Sequence, residues 1–437
     1  MKKQLLLFSF LVFSLLIKAQ HEQCATSFAL KKGIEANAGA ASFYTAEQLA
    51  NKWLANNKSA VHHNKTKAII KIPVVFHVVY KNAAQNIPDS NIISQLQVLN
   101  ECFRKQNANY ANTRPVFDTI GADCEIEFCL ADKDPQGNPT TGIIRKSAPS
   151  TAAFDPLNGF DAVKSPAKGG DTLWPANQYL NIWTCDMSLF SFTFVLGYAQ
   201  FPGMNPQTDG VVIQYDYLGK YAKPKFLGKT TVHEVGHWLG MRHIWADDAP
   251  GIGQQGTCDS TDFVGDTPNC KSQSASGSCN TSTNTCSNED SYWSTIDPPD
   301  MVENYMDYSS DSCMTMFTKG QKARMYSFLN TNPDRMAITT STAGCNTYAG
   351  IHDIDDFSAH VELFPNPASD VVKLNLKNLS HAGYTYEIYN TNGQLIAKEA
   401  VSYLYSEIDV KGFSNGLYFV KVYSDYHTAT KRLVIAR

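Results

Sequence analysis

Three histidines and a glutamate at short, fixed intervals are the residues in this chain best equipped for chemistry. They lie in the segment His233-Glu234-Val235-Gly236-His237-Trp238-Leu239-Gly240-Met241-Arg242-His243. On a helix, residues four apart share a face, so His233 and His237 point the same way. Two neutral imidazoles so placed can bind one zinc ion, and Glu234, beside the first, can reach a water on it. Gly240 has no Cβ, so the chain can leave the helix in a left-handed conformation and turn back to bring His243 in as third ligand. Three protein ligands leave a fourth position for water, which marks a reactive zinc rather than a structural one. The expected chemistry is hydrolysis. The metal lowers the pKa of its water, Glu234 takes the proton, and a peptide carbonyl is attacked. The competing reading, an adhesin-like protein with a structural zinc, needs a fourth protein ligand and has no use for Glu234.

Such a site needs a rigid frame, and the flanking sequence supplies one. The run 72–80 is β-branched and aromatic and reads as a buried strand. Pro88, Asp89 and Ser90 start a helix in which Ile93, Leu96, Leu99 and Phe103 recur at helical spacing. Further strands are predicted at 125–131, 179–184, 197–201 and 210–215, and helices at 226–239 and 319–329. This order gives an α/β (α+β) catalytic domain with a mixed sheet and two long helices. From 246 to 300 Ser, Thr, Asn, Asp, Gly and Cys dominate without hydrophobic period, so an irregular, disulfide-rich lower subdomain is expected. Asp259, Asp262, Asp266 and the Thr267 carbonyl cluster there, and such oxygen ligands suit calcium.

The ends of the chain set its context. Lys2 and Lys3 precede an apolar run, 5–17, that stops at Ala19, the pattern of a signal peptide over 1–19. Residues 20–68 carry one short helix, at 46–54, and would bury little surface alone. The catalytic domain spans 69–345, a linker 346–358, and a cysteine-free all-β sandwich 359–437, with strands at 361–364, 371–376, 384–389, 416–422 and 432–435 and a turn at Asn392-Gly393. Export makes the 11 cysteines disulfide candidates. The count is odd, and setting aside Cys24, remote near the N-terminus, leaves ten. A net charge of −4 gives no reason to expect nucleic acid or an anionic membrane as partner. Protein or peptide substrates, no transmembrane anchor and a monomer are expected.

The zinc segment matches the long binding motif of the metzincins, and Asn304-Tyr305-Met306-Asp307-Tyr308 supplies that clan's Met-containing turn downstream. The wording of the two segments resembles the pappalysin family, over residues 69–345. The resemblance implies that Met306 packs under the histidines and that Tyr308 stabilises the oxyanion. It implies disulfides Cys258–Cys286 and Cys279–Cys313, and calcium near 259–267. It also implies that Cys24, in Gln23-Cys24-Ala25-Thr26, occupies the fourth zinc position of a latent precursor whose propeptide is 20–68. Some members cut before Arg using an acidic residue just ahead of the cysteine after the Met-turn; here that position is Ser312, with Asp311 one step earlier. The C-terminal unit resembles the sorting domain of type IX secretion, carried by Phe364-Pro365-Asn366-Pro367-Ala368-Ser369-Asp370, Gly416-Leu417-Tyr418-Phe419-Val420-Lys421-Val422 and Lys431-Arg432-Leu433-Val434-Ile435. That resemblance implies the secretion machinery as partner and an extracellular or cell-surface destination via the periplasm.

Overall fold

The computed structural model describes residues 24–36, 40–57, 69–345 and 357–437, except 190–191, 194, 221, 224, 247–255, 275–276, 288–291, 294–295, 377–383, 402–404 and 424–427. The expected signal peptide and nearly all of the expected linker lie outside these residues. The chain forms two compact units, Met1–Thr347 and Tyr348–Arg437.

In the first unit two helices, α1 (Thr26–Glu35) and α2 (Ala40–Asn56), precede β1 (Ile70–Tyr80) and α3 (Asp89–Phe103). Strands β2 (Ile126–Leu130), β3 (Ile143–Ser147), β4 (Leu180–Cys185), β5 (Gly197–Ala199) and β6 (Val211–Gln214) follow, then α4 (Lys229–Trp238), α5 (Lys319–Thr331) and α6 (Pro333–Ile338). The sheet runs β2-β1-β4-β6-β5, and β3 continues along β1 beyond β2. All pairs are parallel except β5–β6, so the sheet is mixed. β1 is central and buried along 72–79, as its unbroken apolar run requires. Helix α3 buries Ile92, Val98, Leu99 and Phe103 in the core that also holds Val232, Val235 and Trp238 of α4.

Three features depart from the sequence reading. The 20–68 segment holds two described helices rather than one, and it is not loosely attached: Phe43, Ala46, Glu47 and Ala50 are buried. β3 was not expected, because an exposed edge strand with only Ile143 and Ile144 ahead of Arg145 and Lys146 carries little apolar signal. Of the 11 cysteines, six pair: Cys258–Cys286, Cys279–Cys313 and Cys129–Cys345. Cys102, Cys124, Cys185 and Cys270 stay free and buried with Cys24, packed as small apolar side chains.

The second unit is a sandwich of two sheets. One is β10-β9-β12-β13 and the other β11-β8-β7, from β7 (Val361–Phe364), β8 (Val371–Leu376), β9 (Tyr384–Asn390), β10 (Leu395–Val401), β11 (Tyr405–Asp409), β12 (Gly416–Tyr423) and β13 (Thr428–Ile435). Val372, Leu374, Ile388, Val420, Val422 and Leu433 fill the space between them. β10 and β11 are mostly exposed, so the alternation that marks a half-buried strand is missing from their sequence.

Candidate active site

Helix α4 carries the first half of the site. Its N-terminus follows Gly228, whose φ is +78°, and the Asp311 carboxylate accepts from the Leu227 and Lys229 amides at 2.6 and 3.1 Å. Negative charge there also interacts favourably with the positive end of the helix dipole. At the other end Arg335 makes a two-pronged contact with Asp209, at 2.7 Å on each oxygen, and donates to the Trp238 carbonyl. Asp209 also accepts from the Trp238 ring nitrogen at 3.0 Å. The helix is thus pinned at both ends by buried ion pairs and amide bonds.

His233 and His237 project from this helix and His243 returns to meet them. Their Nε2 atoms lie 3.1, 3.1 and 3.2 Å apart. The other nitrogens are committed: His233 Nδ1 to the Tyr305 carbonyl at 2.7 Å and His237 Nδ1 to the Met241 carbonyl at 2.8 Å. A carbonyl only accepts, so each Nδ1 carries the proton and each Nε2 offers a lone pair. Lone pairs converging in a buried spot repel unless a cation joins them. Nitrogens 2.0–2.1 Å from one centre at tetrahedral angles would be about 3.3 Å apart, so this spacing fits zinc.

Gly240 makes the return possible. Its φ is +90°, and its carbonyl accepts from Arg324 Nε at 2.9 Å. His243 then stacks on Trp245, ring centres 4.3 Å apart. Beneath, Met306 is fully buried against α4: a Cβ on Gly236 would sit 2.6 Å from its sulfur. The Met-turn is tied to α5 by reciprocal amide bonds between Asn304 and Gln321, and Gln321 closes the capping box with Thr318. Tyr308 packs on His233 and His243 with ring centres 5.7 and 5.2 Å away.

Glu234 is fully buried beside the histidines. Burial raises its carboxyl to about 8, and hydrogen bonds from Cys24 and Thr26 work against that rise. Thr26 Oγ1 donates to Glu234 Oε2 at 2.9 Å and accepts from the Ala199 amide at 2.8 Å. Cys24 Sγ lies 3.4 Å from the same oxygen, while Oε1 has no hydrogen-bond partner among the described residues. Cys24 Sγ and the three histidine nitrogens all fall within 4.8 Å of one another. Burial, with help from Glu234, pushes the thiol well above its usual range, so only a cation would make it a thiolate. The N-terminal segment reaches this point along the sheet edge. Cys24 forms a parallel bridge with Gly197 of β5, and Ala25 N donates to the Gly197 carbonyl at 2.9 Å. Gly197 is bare for a reason: a Cβ there would meet Glu234 Cγ at 2.8 Å.

The structure therefore brings together His233, Glu234, His237, His243, Met306, Tyr308 and Cys24. Both disulfides implied by the resemblance form. The 259–267 cluster is separate. Asp259 is exposed, whereas Asp262 and Asp266 are buried and already have donors. Asp262 accepts from Val264 N and Thr267 Oγ1, and Asp266 from Thr318 Oγ1 and Gly320 N. Burial raises Asp262 to about 7 and raises Asp266 as well. A small cavity beside His233 and Glu234 is lined by Lys229, Asp307, Asp311 and Met314, while Ser312 is exposed. Sequence reasoning missed Thr26, Asp209, Arg335 and Gln321. Thr26 alone had a local signal, its place two residues after Cys24.

A three-histidine site on a helix and its return turn, closed by a Met-turn and framed by a mixed sheet, defines a zinc peptidase. Comparison with known proteins gives the same class. A family profile described as pregnancy-associated plasma protein-A matches residues 168–330, and one described as a secretion system C-terminal sorting domain matches 362–436. An extracellular metalloprotease of Verticillium alfalfae is 31% identical over 276 residues, 61% of this chain and 78% of its own length. One from Neurospora crassa is 37% identical over 274 residues, 60% of this chain and 76% of its own. Among solved structures, mature mirolysin of Tannerella forsythia with a cleaved peptide is 44% identical, covers 62% of this chain and 96% of its own, and has a TM-score of 0.55. A promirolysin variant is 38% identical, covers 73% and 97%, and has a TM-score of 0.58. The chain belongs to the pregnancy-associated plasma protein-A family of zinc-dependent metallopeptidases, and it ends in a type IX secretion sorting domain that marks it for the cell surface or the medium. No described helix is long and apolar enough to cross a membrane.

Proposed function

We propose that His233, His237 and His243 hold the zinc of this endopeptidase, that Glu234 is its general base, and that Cys24 keeps the chain latent until residues 20–68 are removed. The observation that carries this reading is the convergence of three buried imidazole nitrogens on one point, with Glu234 and Cys24 Sγ beside it. Bound there, zinc supplies Lewis acidity that acidifies a water and polarises the substrate carbonyl. Glu234 would accept a proton from the attacking water and deliver it to the leaving amine. Tyr308 donates to the carbonyl oxygen as negative charge develops. In the latent chain its hydroxyl donates instead to the Cys24 carbonyl, 3.2 Å away, so the N-terminal segment stands where substrate would bind. Met306 and Gly240 shape the site without touching substrate. Asp307 and Asp311, which share the cavity lining with Lys229, are the carboxyls offered to a basic side chain after the cut bond.

The finer organisation belongs to the same proposal: signal peptide 1–19, propeptide 20–68, catalytic domain 69–345, linker 346–358 and sorting domain 359–437, the last read by the secretion machinery. The enzyme acts as a monomer on proteins or peptides. A structural calcium ion is proposed at 259–267. Its support is that Asp262 and Asp266 are buried carboxyls whose ionised forms a divalent ion would stabilise.

The test is Glu234→Ala. It should keep stoichiometric zinc and lose casein hydrolysis by about a hundredfold or more, since a positioned base is worth that much. A second reading, favoured by the nearness of Cys24, is a structural zinc with that thiolate as permanent fourth ligand. A chain lacking residues 20–68 that still binds zinc and cuts casein excludes it.

A further inference from the structure

The latency reading uses residues 24–26 only, yet the longest contact of the N-terminal segment is made by α2, well away from Cys24 in sequence. Phe43, Ala46, Glu47 and Ala50 recur at three- and four-residue intervals and form the buried face of that helix. Ala46 and Ala50 lie on Phe328 of α5. Phe43 packs on Phe201 and Met204, ring centres 5.9 Å apart for the aromatic pair. Gly203 allows the close approach, since a Cβ there would be 2.8 Å from both the Ala46 Cβ and the Ser42 carbonyl.

The polar anchor of this face is Glu47. Both its oxygens accept from Arg324 Nη2 at 2.9 Å, and Arg242 Nη2 stands 3.7 Å from Oε1. Arg324 is fully buried, so its charge needs a partner. The same guanidinium donates through Nε to the Gly240 carbonyl, in the turn that brings in His243, and Arg242 is the residue before that histidine. Phe263 covers the pair, 5.0 Å from the Arg242 guanidinium and 5.2 Å from that of Arg324.

We propose that the surface built from Phe201, Met204, Arg242, Phe263, Arg324 and Phe328 is a docking site for a helix with an aromatic residue and a carboxylate one turn apart. Its occupant is α2 of this chain. Glu47 is therefore a second latch, separate from Cys24 and joined to the zinc turn through Arg324. The proposal rests on the reading of 20–68 as a latency segment. It adds that α2 has affinity of its own, which outlasts cleavage of the chain.

The test uses the full zinc-loaded chain carrying Glu234→Ala, so that it cannot process itself. Amide hydrogen exchange is followed in 40–56, in 24–30 and in the 240–243 turn. Glu47→Gln and Phe43→Ala should each speed exchange across 40–56 by about tenfold or more, because each removes a buried anchor. Cys24→Ala should act on 24–30 instead. Phe43→Ala leaves the ion pair in place, so it decides the matter if Glu47→Gln disturbs folding, which exchange in α3 would reveal. In parallel, a fluorescent peptide of residues 40–57 should bind the processed enzyme, and its Glu47→Gln form should bind at least about tenfold more weakly. Unchanged exchange in 40–56 for both variants, or equal binding of the two peptides, overturns the proposal. Failure of the cysteine reading looks different: in active chains, Cys24→Ala stays latent while Glu47→Gln gains activity.

Discussion

Replacing Gly240 by Ala tests whether the return of His243 depends on one glycine. At φ +90° an L-residue gives up about 1–2 kcal/mol to reach the left-handed region. The added Cβ would also lie 2.1 and 2.2 Å from Phe328 Cε2 and Cδ2, inside the closed core. Relieving that contact moves a buried ring or the turn, at about 1–3 kcal/mol. The sum, roughly 2–5 kcal/mol, should lower the melting temperature of the catalytic unit by about 4–20 °C. The consequence reaches the metal. The turn holds the Met241 carbonyl on His237 Nδ1 and the Gly240 carbonyl on Arg324, so a shift disorients two ligands together. Zinc affinity should fall about 10–100-fold, the usual cost of losing ligand orientation. The assay is calorimetry with a chelator titration, and Gly137→Ala is the control. Gly137 has φ +83° but nothing within 4 Å of its Cβ position, so it isolates the conformational cost. If Gly240→Ala melts no lower than Gly137→Ala and holds zinc like the parent, the reasoning is wrong.

Three further outcomes are expected. Cys24→Ala should make the unprocessed chain cut a quenched peptide at once, because the thiol beside Glu234 and the three histidine nitrogens is gone; the check is activity before any change in mass. Millimolar calcium added to zinc-loaded, calcium-stripped protein should raise the melting temperature and slow nicking of 259–267, and an unchanged melt refutes that site. In the C-terminal sandwich, hydroxyls of Tyr389 and Tyr423 and the Lys398 ammonium hold the Glu387 carboxyl down to about 2. Because that value is below the unfolded one, the stabilisation is present above about pH 4.5 and is lost as pH falls toward 2. Glu387→Gln should flatten the melting profile of this unit over that window, which calorimetry at stepped pH would record.

What could be read from the sequence was whatever is encoded within a few residues. His233, Glu234, His237, Gly240 and His243 occupy eleven consecutive positions, and helix geometry alone turns their spacing into a ligand set. Met306 and Tyr308 lie about 70 residues further on and were found only through the resemblance. The frame followed the same rule. β1 and α3 have dense apolar patterns and were legible, while β3, β10 and β11 are exposed strands whose partners supply what their sequences lack. Cys129–Cys345 closes a separation of 216 residues, and nothing local to either cysteine announces it. The free cysteines stayed unassigned for a related reason: in an exported chain a buried Cys and a paired one look alike until packing is known.

The supports that escaped notice have a common form. Asp209, Arg335, Gln321 and Arg324 are buried polar or charged residues, and each bonds the backbone or a side chain of the zinc helix, its exit turn or the Met-turn. Such groups are costly to bury singly and tolerable only when paired across elements distant in sequence. They are also directional, which apolar packing is not. Zinc tolerates small errors in ligand position poorly, because its affinity falls as the imidazoles tilt. A site built from one helix and one return turn therefore needs directional bonds on both sides of Gly240, and Arg335 and Arg324 supply them from α6 and α5. Glu47 joins this network through Arg324, the partner nearest the return. In the proposed latch, an N-terminal segment that grips Arg324 acts on the turn that delivers His243, whereas Cys24 acts beside Glu234 and the histidine nitrogens. Two contacts at two different points are harder to release together by chance fluctuation than one, so under the proposed latency a chain carried through the periplasm would have a lower background of premature cutting with the pair than with either alone.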